Sequence, residues 1–193
     1  INKRAKDVSS LRIVQWAFKV VLWISGVKLT VIGKENMPKE AALYVGNHRS
    51  FFDILIAYVQ CENLTGFVSK DSMNKVPSFR IWMRYLYCLF LDRKDIKQGM
   101  KTILQAIDYV KQGVSIFIFP EGTRTPRQGT TSYKKGAARI ALYCSKNIQP
   151  VLIGGSDKYG LGKHNPLLSY NHVEPYLYDL KLLEEIHIQD FAG

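Results

Sequence analysis

Short apolar runs separated by turn residues recur along the chain. AALYV at residues 41–45 is typical of a buried strand, and residues 50–60 follow with apolar side chains on most faces of a helix. LTGFVS at residues 64–69 and VSIFIF at residues 114–119 are further strand candidates. Almost every residue of VSIFIF is β-branched or aromatic, which is typical of a strand covered on both faces in a mainly parallel sheet.

The most regular pattern is a helical stripe that begins near Asp95 and stops at Gly113. Its apolar positions recur at the spacing of one helix face, at Ile96, Met100, Ile103, Leu104, Ile107 and Val110. A further helix is expected at residues 134–144, and a strand, PVLIGG, at residues 150–155. This alternation predicts an α/β fold with a mostly parallel, mixed central sheet flanked by helices.

Two parts of the chain have weaker patterns. A segment that contains Pro77 and an apolar run at residues 85–91 stand before the regular helix. Near the end, residues 154–166 are typical of a glycine-rich, basic loop. VEPYLY at residues 173–178 is a candidate edge strand interrupted by a proline, and residues 180–191 look like the start of a terminal helix.

The first apolar segment, residues 11–27, carries a narrow polar stripe at helical spacing, formed by Arg12, Gln15 and Lys19, with Ser9 one turn earlier. The run is too short and too charged to cross a bilayer core, which takes about 20 apolar residues. It fits an amphipathic helix in the membrane interface, with the lipid boundary around Trp16, Phe18, Leu22 and Trp23. Anionic headgroups would then face the basic residues Lys3, Arg4 and Lys6.

We therefore expect an N-terminal membrane-associating helical segment at residues 1–30 and one main domain at residues 31–193. A length of 193 residues with 47% apolar content also favours a single main domain. A single amphipathic helix binds a bilayer reversibly, so peripheral or monotopic attachment is expected instead of spanning. The alternative is an amphipathic helix that packs on the core of a soluble protein.

Charge and cysteine content narrow the choice of partners. Lys and Arg number 27 against 16 Asp and Glu, a formal charge of +11, so the surface attracts lipid headgroups, nucleotides, nucleic acids or acidic proteins. No RRM, zinc-finger or homeodomain-like pattern supports nucleic-acid binding. Cys61, Cys88 and Cys144 lie far apart without a CxxC pair, which argues against a disulfide framework or a zinc site and for a reducing, intracellular compartment.

The heptapeptide NHRSFFD, residues 47–53, has two interpretations. Ser50 and Asp53 match a helix capping box, in which Asp53 bonds free amides at the helix N-terminus and His48 is an ordinary loop residue. Alternatively, His48 and a carboxylate form a general base, since a carboxylate fixes the imidazole tautomer and stabilises the imidazolium.

A second segment, FPEGTR at residues 119–124, favours the chemical interpretation. It stands at the carboxyl end of the predicted strand VSIFIF, as NHRS stands at the carboxyl end of the predicted strand AALYV. Sites in open α/β sheets form outside the carboxyl ends of strands. Glu121 can then share a crevice with His48. Gly122 lets the backbone approach a ligand closely, and Arg124 suits an anionic phosphate. Because no serine or cysteine lies in a nucleophile motif such as GxSxG, His48 is expected to activate a hydroxyl of the substrate.

Together these residues resemble the 1-acylglycerol-3-phosphate acyltransferase family. The resemblance covers about residues 30–155 and rests on an NHxxxxD box, a Lys and Pro segment ending in Asp92 and Arg93, FPEGTR, and a strand beginning at Pro150 and Val151. HxxxxD alone is a weak signal, but the two motifs in this order, each after a strand, are specific. Many relatives have a glycine after the proline of the middle motif, whereas this chain reads KVPSFRIWMRYLYC, so the acyl-chain length stays open.

The resemblance implies an acyltransferase domain at residues 31–193 that moves an acyl group from acyl-carrier protein or acyl-coenzyme A to the free hydroxyl of lysophosphatidate, giving phosphatidate. It implies no metal, and no cofactor beyond the thioester co-substrate. His48 would be the general base and Asp53 its orienting carboxylate. The implied acceptor-binding residues are Glu121, Gly122 and Arg124, with Asn47 of the NHxxxxD box, and with Arg93 and Lys70 as additional phosphate contacts. The expected location is the cytoplasmic face of an anionic membrane, without nucleic acid as a partner.

Two alternatives stay open. An acyltransferase of the same superfamily would keep the same His and Asp pair while acting on glycerol 3-phosphate or on another lysophospholipid. A non-catalytic lipid-binding or acyl-carrier-binding protein is the second alternative, although such a protein has no need of both His48 and Asp53.

Overall fold

The computed structural model describes residues 3–75, 77–92, 95–124, 134, 136–137, 140, 148–154 and 167–170. The helices with described bounds are α1 (Lys3–Ile24), α2 (Phe52–Gln60), α3 (Pro77–Tyr85) and α4 (Ile96–Lys111). The strands are β1 (Thr30–Ile32), β2 (Leu43–Gly46), β3 (Thr65–Lys70), β4 (Leu89–Leu91), β5 (Ser115–Ile118), β6 (Ile148–Gly154) and β7 (Leu167–Tyr170). Two 3₁₀ turns lie at Lys34–Asn36 and Asp71–Lys75.

These strands form one sheet in the order β1-β7-β6-β2-β5-β3-β4. Neighbouring strands are parallel except for β6 and β7, which are antiparallel. The prediction of a mostly parallel, mixed sheet flanked by helices is therefore confirmed. Because β6, β2, β5, β3 and β4 run in the same direction, their C-terminal ends lie along one side of the sheet, which we call the carboxyl edge.

Apolar layers cover both faces of the sheet. Side chains alternate along a strand, so in β2 Tyr44 points to one face and Leu43 to the other. The face of Tyr44 is covered by α1 and α2, through Leu11, Leu22, Leu55 and Ile56. The face of Leu43 is covered by α4, through Ile103, Ala106 and Ile107. The helices therefore leave the carboxyl edge as the place where a site can form.

The N-terminal helix α1 packs on α2 with a stripe that is partly polar, made of Asp7, Ser10, Leu11, Gln15 and Leu22. Gln15 Nε2 donates to the carbonyl oxygens of Tyr58 and Cys61, at 3.0 and 2.6 Å, at the C-terminal end of α2. The Tyr87 hydroxyl donates to Asp7 Oδ2 at 2.6 Å. These bonds fix the rotation of α1 about its own axis.

The opposite side of α1 carries large apolar residues that face outwards. Trp16 is 68% exposed and Trp23 79% exposed, as the predicted lipid boundary requires. The other exposed members of this surface, which we call the outer face of α1, are Ile13, Val21 and Ile24.

The lipid-boundary prediction is wrong for Phe18 and Leu22, because both lie on the protein side of α1. Leu22 is buried in the core, and the Phe18 ring packs edge-on against Tyr58 with centroids 5.6 Å apart. From Leu11 onwards the helix is apolar around most of its circumference, and only the packing on α2 decides which apolar residues meet the core.

The predicted helices and strands occur with shifted ends, and α1 begins at Lys3 instead of residue 11. The Pro77 segment is the helix α3, since proline is favourable in the first turn of a helix, and only the end of the run at residues 85–91 is a strand. The short strands β1 and β7 were not predicted. Asp95 caps α4 as expected, since its side chain accepts a hydrogen bond from the Gln98 N–H at 3.0 Å.

Other predictions reach beyond the described part of the chain. Gly136, Ala137 and Ile140 are helical and Lys134 is not, whereas residues 135, 138–139 and 141–144 of the predicted helix are outside that part. The same holds for most of the loop at residues 154–166, the strand at residues 173–178 and the helix at residues 180–191. Among the described helices, none is long and apolar enough to span a bilayer. The division at residue 30 stays a prediction.

Candidate active site

The segments that carry the two motifs leave adjacent strands at the carboxyl edge. β2 ends at Gly46, directly before Asn47 and His48, and β5 ends at Ile118, directly before FPEGTR. The two strands pair in parallel with Val45 opposite Ile118, so both loops begin at the same level of the sheet. The expected juxtaposition of NHRSFFD and FPEGTR is present.

His48 and Asp53 are in direct contact at this edge. His48 Nδ1 lies 2.9 Å from Asp53 Oδ2, and the side chains are 15% and 0% exposed, respectively. The carboxylate is therefore sealed from solvent while part of the imidazole reaches it. When Nδ1 donates to Asp53, Nε2 is the ring nitrogen that can accept a proton. This is the geometry of a histidine general base with an orienting carboxylate.

Asp53 also holds the loop before α2. Its Oδ2 accepts hydrogen bonds from the backbone N–H groups of Arg49 and Ser50, at 2.6 and 2.8 Å. The Ser50 hydroxyl accepts instead from the Phe52 N–H at 3.3 Å, so the capping box is only half formed. Both interpretations of NHRSFFD therefore apply to one carboxylate, which caps the loop and orients His48.

Asn47 connects this loop to β6. Its Nδ2 donates to the carbonyl oxygen of Ile153 at 2.8 Å, and its Oδ1 accepts from the Ile153 N–H at 2.7 Å. The side chain therefore continues the contact between β2 and β6 beyond their last paired residues, Gly46 and Val151. The structure gives Asn47 a part in holding the loop, and its assignment as a substrate contact stays a prediction.

The His48 imidazole lies on an aromatic ring. Phe119, the first residue of FPEGTR, stacks on it with centroids 4.2 Å apart and 21° between the ring planes. Phe119 in turn contacts the rings of Phe117 and Phe67. Because an aromatic face attracts a cation, Phe119 favours the imidazolium that forms when His48 takes up a proton.

Gly46 makes room for this aromatic row. A Cβ at Gly46 would lie 2.8 Å from the Phe117 ring, closer than real Cβ contacts. Neither Gly46 nor Phe119 is among the site residues predicted from the sequence. Signals for both were present, because a glycine inside a strand marks a close approach and the spacing of Phe117 and Phe119 puts them on one face.

The remaining residues of FPEGTR differ in exposure. Glu121 is 6% exposed, and its Oε2 has no hydrogen-bond partner among the described residues. Gly122 has a φ of 66°, in the left-handed region that favours glycine, and its N–H donates to the Phe119 carbonyl oxygen at 2.9 Å. Arg124 is exposed. This segment therefore presents a buried acceptor and an exposed cation at the carboxyl edge, after the Phe119 ring that contacts His48.

The two additional basic residues come from the next strands of the sheet. Lys70 is the last residue of β3 and is exposed, and it pairs with Leu91, the last residue of β4. Arg93 lies outside the described residues. Within the described part of the chain, no group of three or more His, Cys, Asp or Glu side chains is placed to hold a metal ion.

Comparison with known proteins identifies the family to which this chain is similar. A family model named acyltransferase matches residues 28–154. A 1-acyl-sn-glycerol-3-phosphate acyltransferase of Borreliella burgdorferi is 32% identical over 170 residues, which are 86% of this chain and 68% of that protein. A protein of Mycoplasma pneumoniae named as a probable 1-acyl-sn-glycerol-3-phosphate acyltransferase is 35% identical over 140 residues.

A solved structure is similar as well. The crystal structure of the 1-acyl-sn-glycerophosphate acyltransferase PlsC from Thermotoga maritima superposes with a TM-score of 0.74 at 25% identity, over 93% of this chain and 76% of that one. The aligned regions span 68% of the Borreliella protein and 52% of the Mycoplasma protein.

Proposed function

Because this chain belongs to the acyltransferase family, whose model matches residues 28–154, we propose that it moves an acyl group from a thioester to the free hydroxyl of a 1-acyl-sn-glycerol 3-phosphate, giving phosphatidate. The family resemblance predicted from NHxxxxD and FPEGTR is confirmed. One observation carries the proposal, the contact of His48 Nδ1 with the buried Asp53 carboxylate at 2.9 Å. The names of the Borreliella and Mycoplasma relatives supply the acceptor.

In the proposed reaction, His48 Nε2 takes the proton of the acceptor hydroxyl while the hydroxyl oxygen attacks the thioester carbonyl carbon. The tetrahedral intermediate then collapses, the C–S bond breaks, and the leaving sulfur takes the proton back from the imidazolium. An ester and a thiol result, and His48 returns to its neutral form. Asp53 and Phe119 stabilise the imidazolium between the two steps.

We propose that the acceptor binds along the basic side of the carboxyl edge. Arg124 and Lys70 are exposed there, and the planar guanidinium of Arg124 suits a phosphate. The sequence adds Arg93 to this set. Glu121 Oε2, buried and without a partner among the described residues, can accept a hydrogen bond from a polar group of the bound substrate.

The acyl donor in this proposal is a thioester of acyl-carrier protein or of coenzyme A. Both carry negative charge, and a chain with a formal charge of +11 attracts either one. The acceptor is a membrane lipid, so we place the enzyme peripherally on the cytoplasmic face of a membrane. The outward-facing Trp16 and Trp23 support attachment through α1, because indole rings favour the bilayer interface.

The test is product identity with lysophosphatidate and each acyl donor in detergent micelles. We expect the wild-type protein to form phosphatidate, and His48→Ala to form it at least about a hundredfold more slowly, the loss expected on removing a general base. His172→Ala, outside both motifs, serves as a matched control and should keep full activity. Thermal unfolding of each variant shows whether it is folded.

A screen of acceptors separates the alternatives. If glycerol 3-phosphate or another lysophospholipid is turned over faster than lysophosphatidate, that compound is the acceptor, and the proposed acyl-transfer chemistry is unchanged. If the protein binds lipid but turns over none of the acceptors with either donor, the proposed enzymatic activity is contradicted. The protein would then be a non-catalytic lipid-binding protein.

A further inference from the structure

Helix α3 exposes a second set of large apolar side chains. Ile81 is 54% exposed, Trp82 42% and Tyr85 39%. At 100° per residue, these three positions fall on one face of the helix, which we call the apolar face of α3. Arg80 and Arg84, also exposed, lie beside it. A tryptophan, a tyrosine and an isoleucine flanked by arginines are typical of a helix that lies in a membrane interface.

The apolar face of α3 adjoins α1. Lys6 Nζ of α1 lies 4.9 Å from the centroid of the Tyr85 ring. On the helical wheel of α1, Lys6 falls within about 20° of Ile13 and Ile24, which belong to the outer face of α1. The two exposed apolar surfaces therefore lie on the same side of α1, and Ile13, the nearest member of the outer face, is about 10 Å along the helix axis from Lys6.

Tyr87, just after α3, holds this arrangement in place. Its hydroxyl donates to Asp7 Oδ2 of α1 at 2.6 Å, and Lys3 Nζ lies 5.8 Å from its ring centroid. Its φ of 57° is left-handed, and a Cβ at Gly66 of β3 would overlap its carbonyl oxygen. The segment that follows α3 is thus bonded to α1 on one side and packed on the sheet on the other.

The start of α3 relates it to the candidate active site. β3 ends at Lys70 on the carboxyl edge, and the 3₁₀ turn Asp71–Lys75 leads from there into α3. β3 pairs with β5, the strand that leads into Phe119. α3 therefore begins beside the edge where His48 is placed, and it runs back from there towards Tyr87, which packs on Gly66 near the start of β3.

We propose that the apolar face of α3 is a second membrane-binding surface, which enters an anionic lipid bilayer together with the outer face of α1. The proposal rests on the proposed function in one respect, the peripheral attachment through α1. One helix in the interface leaves the protein free to roll about the axis of that helix. A second contact removes this freedom and fixes the direction of the active-site crevice relative to the bilayer.

Charge also fits a bilayer. Arg80 and Arg84 lie along one side of the apolar face, and Lys3 and Lys6 lie where α3 meets α1. Basic residues beside apolar ones attract anionic headgroups while the apolar side chains enter the boundary region. An acidic acyl-carrier protein would use the arginines. A bilayer is favoured because it covers the two adjoining apolar surfaces at once.

The three tryptophans of the chain provide the experiment, since one lies on α3 and two on α1. Trp16→Phe with Trp23→Phe leaves Trp82 as the sole tryptophan. Trp23→Phe with Trp82→Phe leaves Trp16 as the matched reporter on α1. Each protein is mixed with vesicles of phosphatidylglycerol and phosphatidylcholine, with and without brominated acyl chains. We expect the emission of Trp82 to shift to shorter wavelength and to be quenched by the brominated lipid, as that of Trp16 is.

Each other outcome overturns the proposal in a different way. Quenching of Trp16 with unchanged Trp82 emission would keep the attachment through α1 and remove α3 from the interface. No quenching of either reporter would remove the membrane attachment as a whole. Trp82 emission could instead shift on adding acyl-carrier protein without lipid and show no response to vesicles. That result would mean that α3 binds acyl-carrier protein and not the bilayer.

A partition measurement supplies a second test. Ile81→Ser with Trp82→Ser should weaken binding to the same vesicles by about tenfold or more, given the apolar area withdrawn from lipid. The control is Leu104→Ser, because Leu104 is 57% exposed on α4, on the opposite face of the sheet. Equal binding by the α3 variant, the control and the wild type would contradict the proposal. Unchanged turnover of a short-chain, water-soluble acceptor shows that the α3 variant is correctly folded.

Discussion

At the residue scale, the site depends on one carboxylate oxygen with three donors. Asp53 Oδ2 meets His48 Nδ1 and the N–H groups of Arg49 and Ser50. The same oxygen atom therefore orients the His48 imidazole and holds the loop before α2 in place. Asparagine at position 53 keeps an acceptor oxygen but loses the negative charge, whereas alanine loses both. The two substitutions can therefore separate the orientation of His48 from the closure of the loop.

We predict that Asp53→Asn lowers kcat by about a hundredfold or more while the free energy of unfolding stays close to wild type. Asp53→Ala should lose the same activity and, in addition, about 1 to 2 kcal/mol of stability, because loop amides lose their partner. Steady-state kinetics and urea unfolding measure the two effects. Full activity in Asp53→Asn would contradict the role of the charge in stabilising the imidazolium.

Phe119 offers a second test at this scale. Its ring lies 4.2 Å from the imidazole, centroid to centroid, and a cation on an aromatic face is stabilised by about 0.5 to 2 kcal/mol. Phe119→Leu should therefore lower kcat by about twofold to thirtyfold with KM unchanged, and Phe119→Tyr should keep most of the rate. A raised KM with an unchanged kcat would instead make Phe119 a substrate contact.

At the scale of secondary structure, α1 connects the outer surface to the helix that begins at the site. Gln15 of α1 bonds the carbonyl oxygens of Tyr58 and Cys61 at the C-terminal end of α2, and Asp53 lies in the first turn of the same α2. The helix that we propose to face lipid with one side is thereby held, through the other side, to α2, which begins beside the loop of His48.

Gln15→Leu removes these two bonds, and we predict a loss of about 1 to 3 kcal/mol in the free energy of unfolding, because the buried Cys61 carbonyl oxygen loses its Gln15 donor and the Tyr58 carbonyl oxygen keeps only the Cys61 N–H. Urea unfolding measures the change. Gln105→Leu is the matched control, since Gln105 is exposed and bonds only the Tyr109 hydroxyl among the interactions described, and it should stay within about 0.5 kcal/mol of wild type. Equal stability of the two variants would show that Gln15 does not hold α1 to α2.

Local patterns predict the helices and strands whose residues carry strong periodicity or composition. VSIFIF and the stripe from Ile96 to Val110 became β5 and α4 with small shifts at their ends. The short strands β1 and β7 were missed because three or four residues carry little pattern, and their pairing with each other spans distant parts of the chain.

For the site, the sequence predicted that NHRSFFD and FPEGTR meet, because both follow strands of one parallel sheet. It did not reveal the partner of Asn47, since Ile153 lies 106 positions away and offers only backbone groups. The stacking of His48 on Phe119 could not be predicted either, because a sequence motif specifies residues but not the directions of their side chains.

At the scale of the whole molecule, the aromatic and thiol groups between α2 and the sheet make folding sensitive to alkaline pH. Burial raises the pKa of the Cys61 thiol to about 12 and that of the Cys88 thiol to about 11. Burial also raises the pKa of the Tyr58 hydroxyl. The folded state therefore keeps these protons at a pH where the unfolded chain has begun to lose them.

The sign of the effect follows from proton binding. Below about pH 8, folded and unfolded chains both hold the thiol protons, and the thiols add no pH dependence. From about pH 8.5 upwards the unfolded chain binds fewer protons than the folded one. The free energy of unfolding should then fall with pH, by up to about 1.4 kcal/mol per pH unit for each thiol, until the thiols of the folded state ionise as well.

Urea unfolding between pH 7.5 and pH 10.5 measures this fall, and Cys88→Ala is the informative variant. Removing one buried thiol should make the fall with pH shallower, even though the alanine itself lowers stability at every pH by leaving space beside Phe67, whose N–H lies 3.5 Å from Cys88 Sγ. A wild-type stability that stays flat across this range would mean that the thiols reach water in the folded state. The layer between α2 and the sheet, on which the position of His48 depends, would then be looser than the described packing.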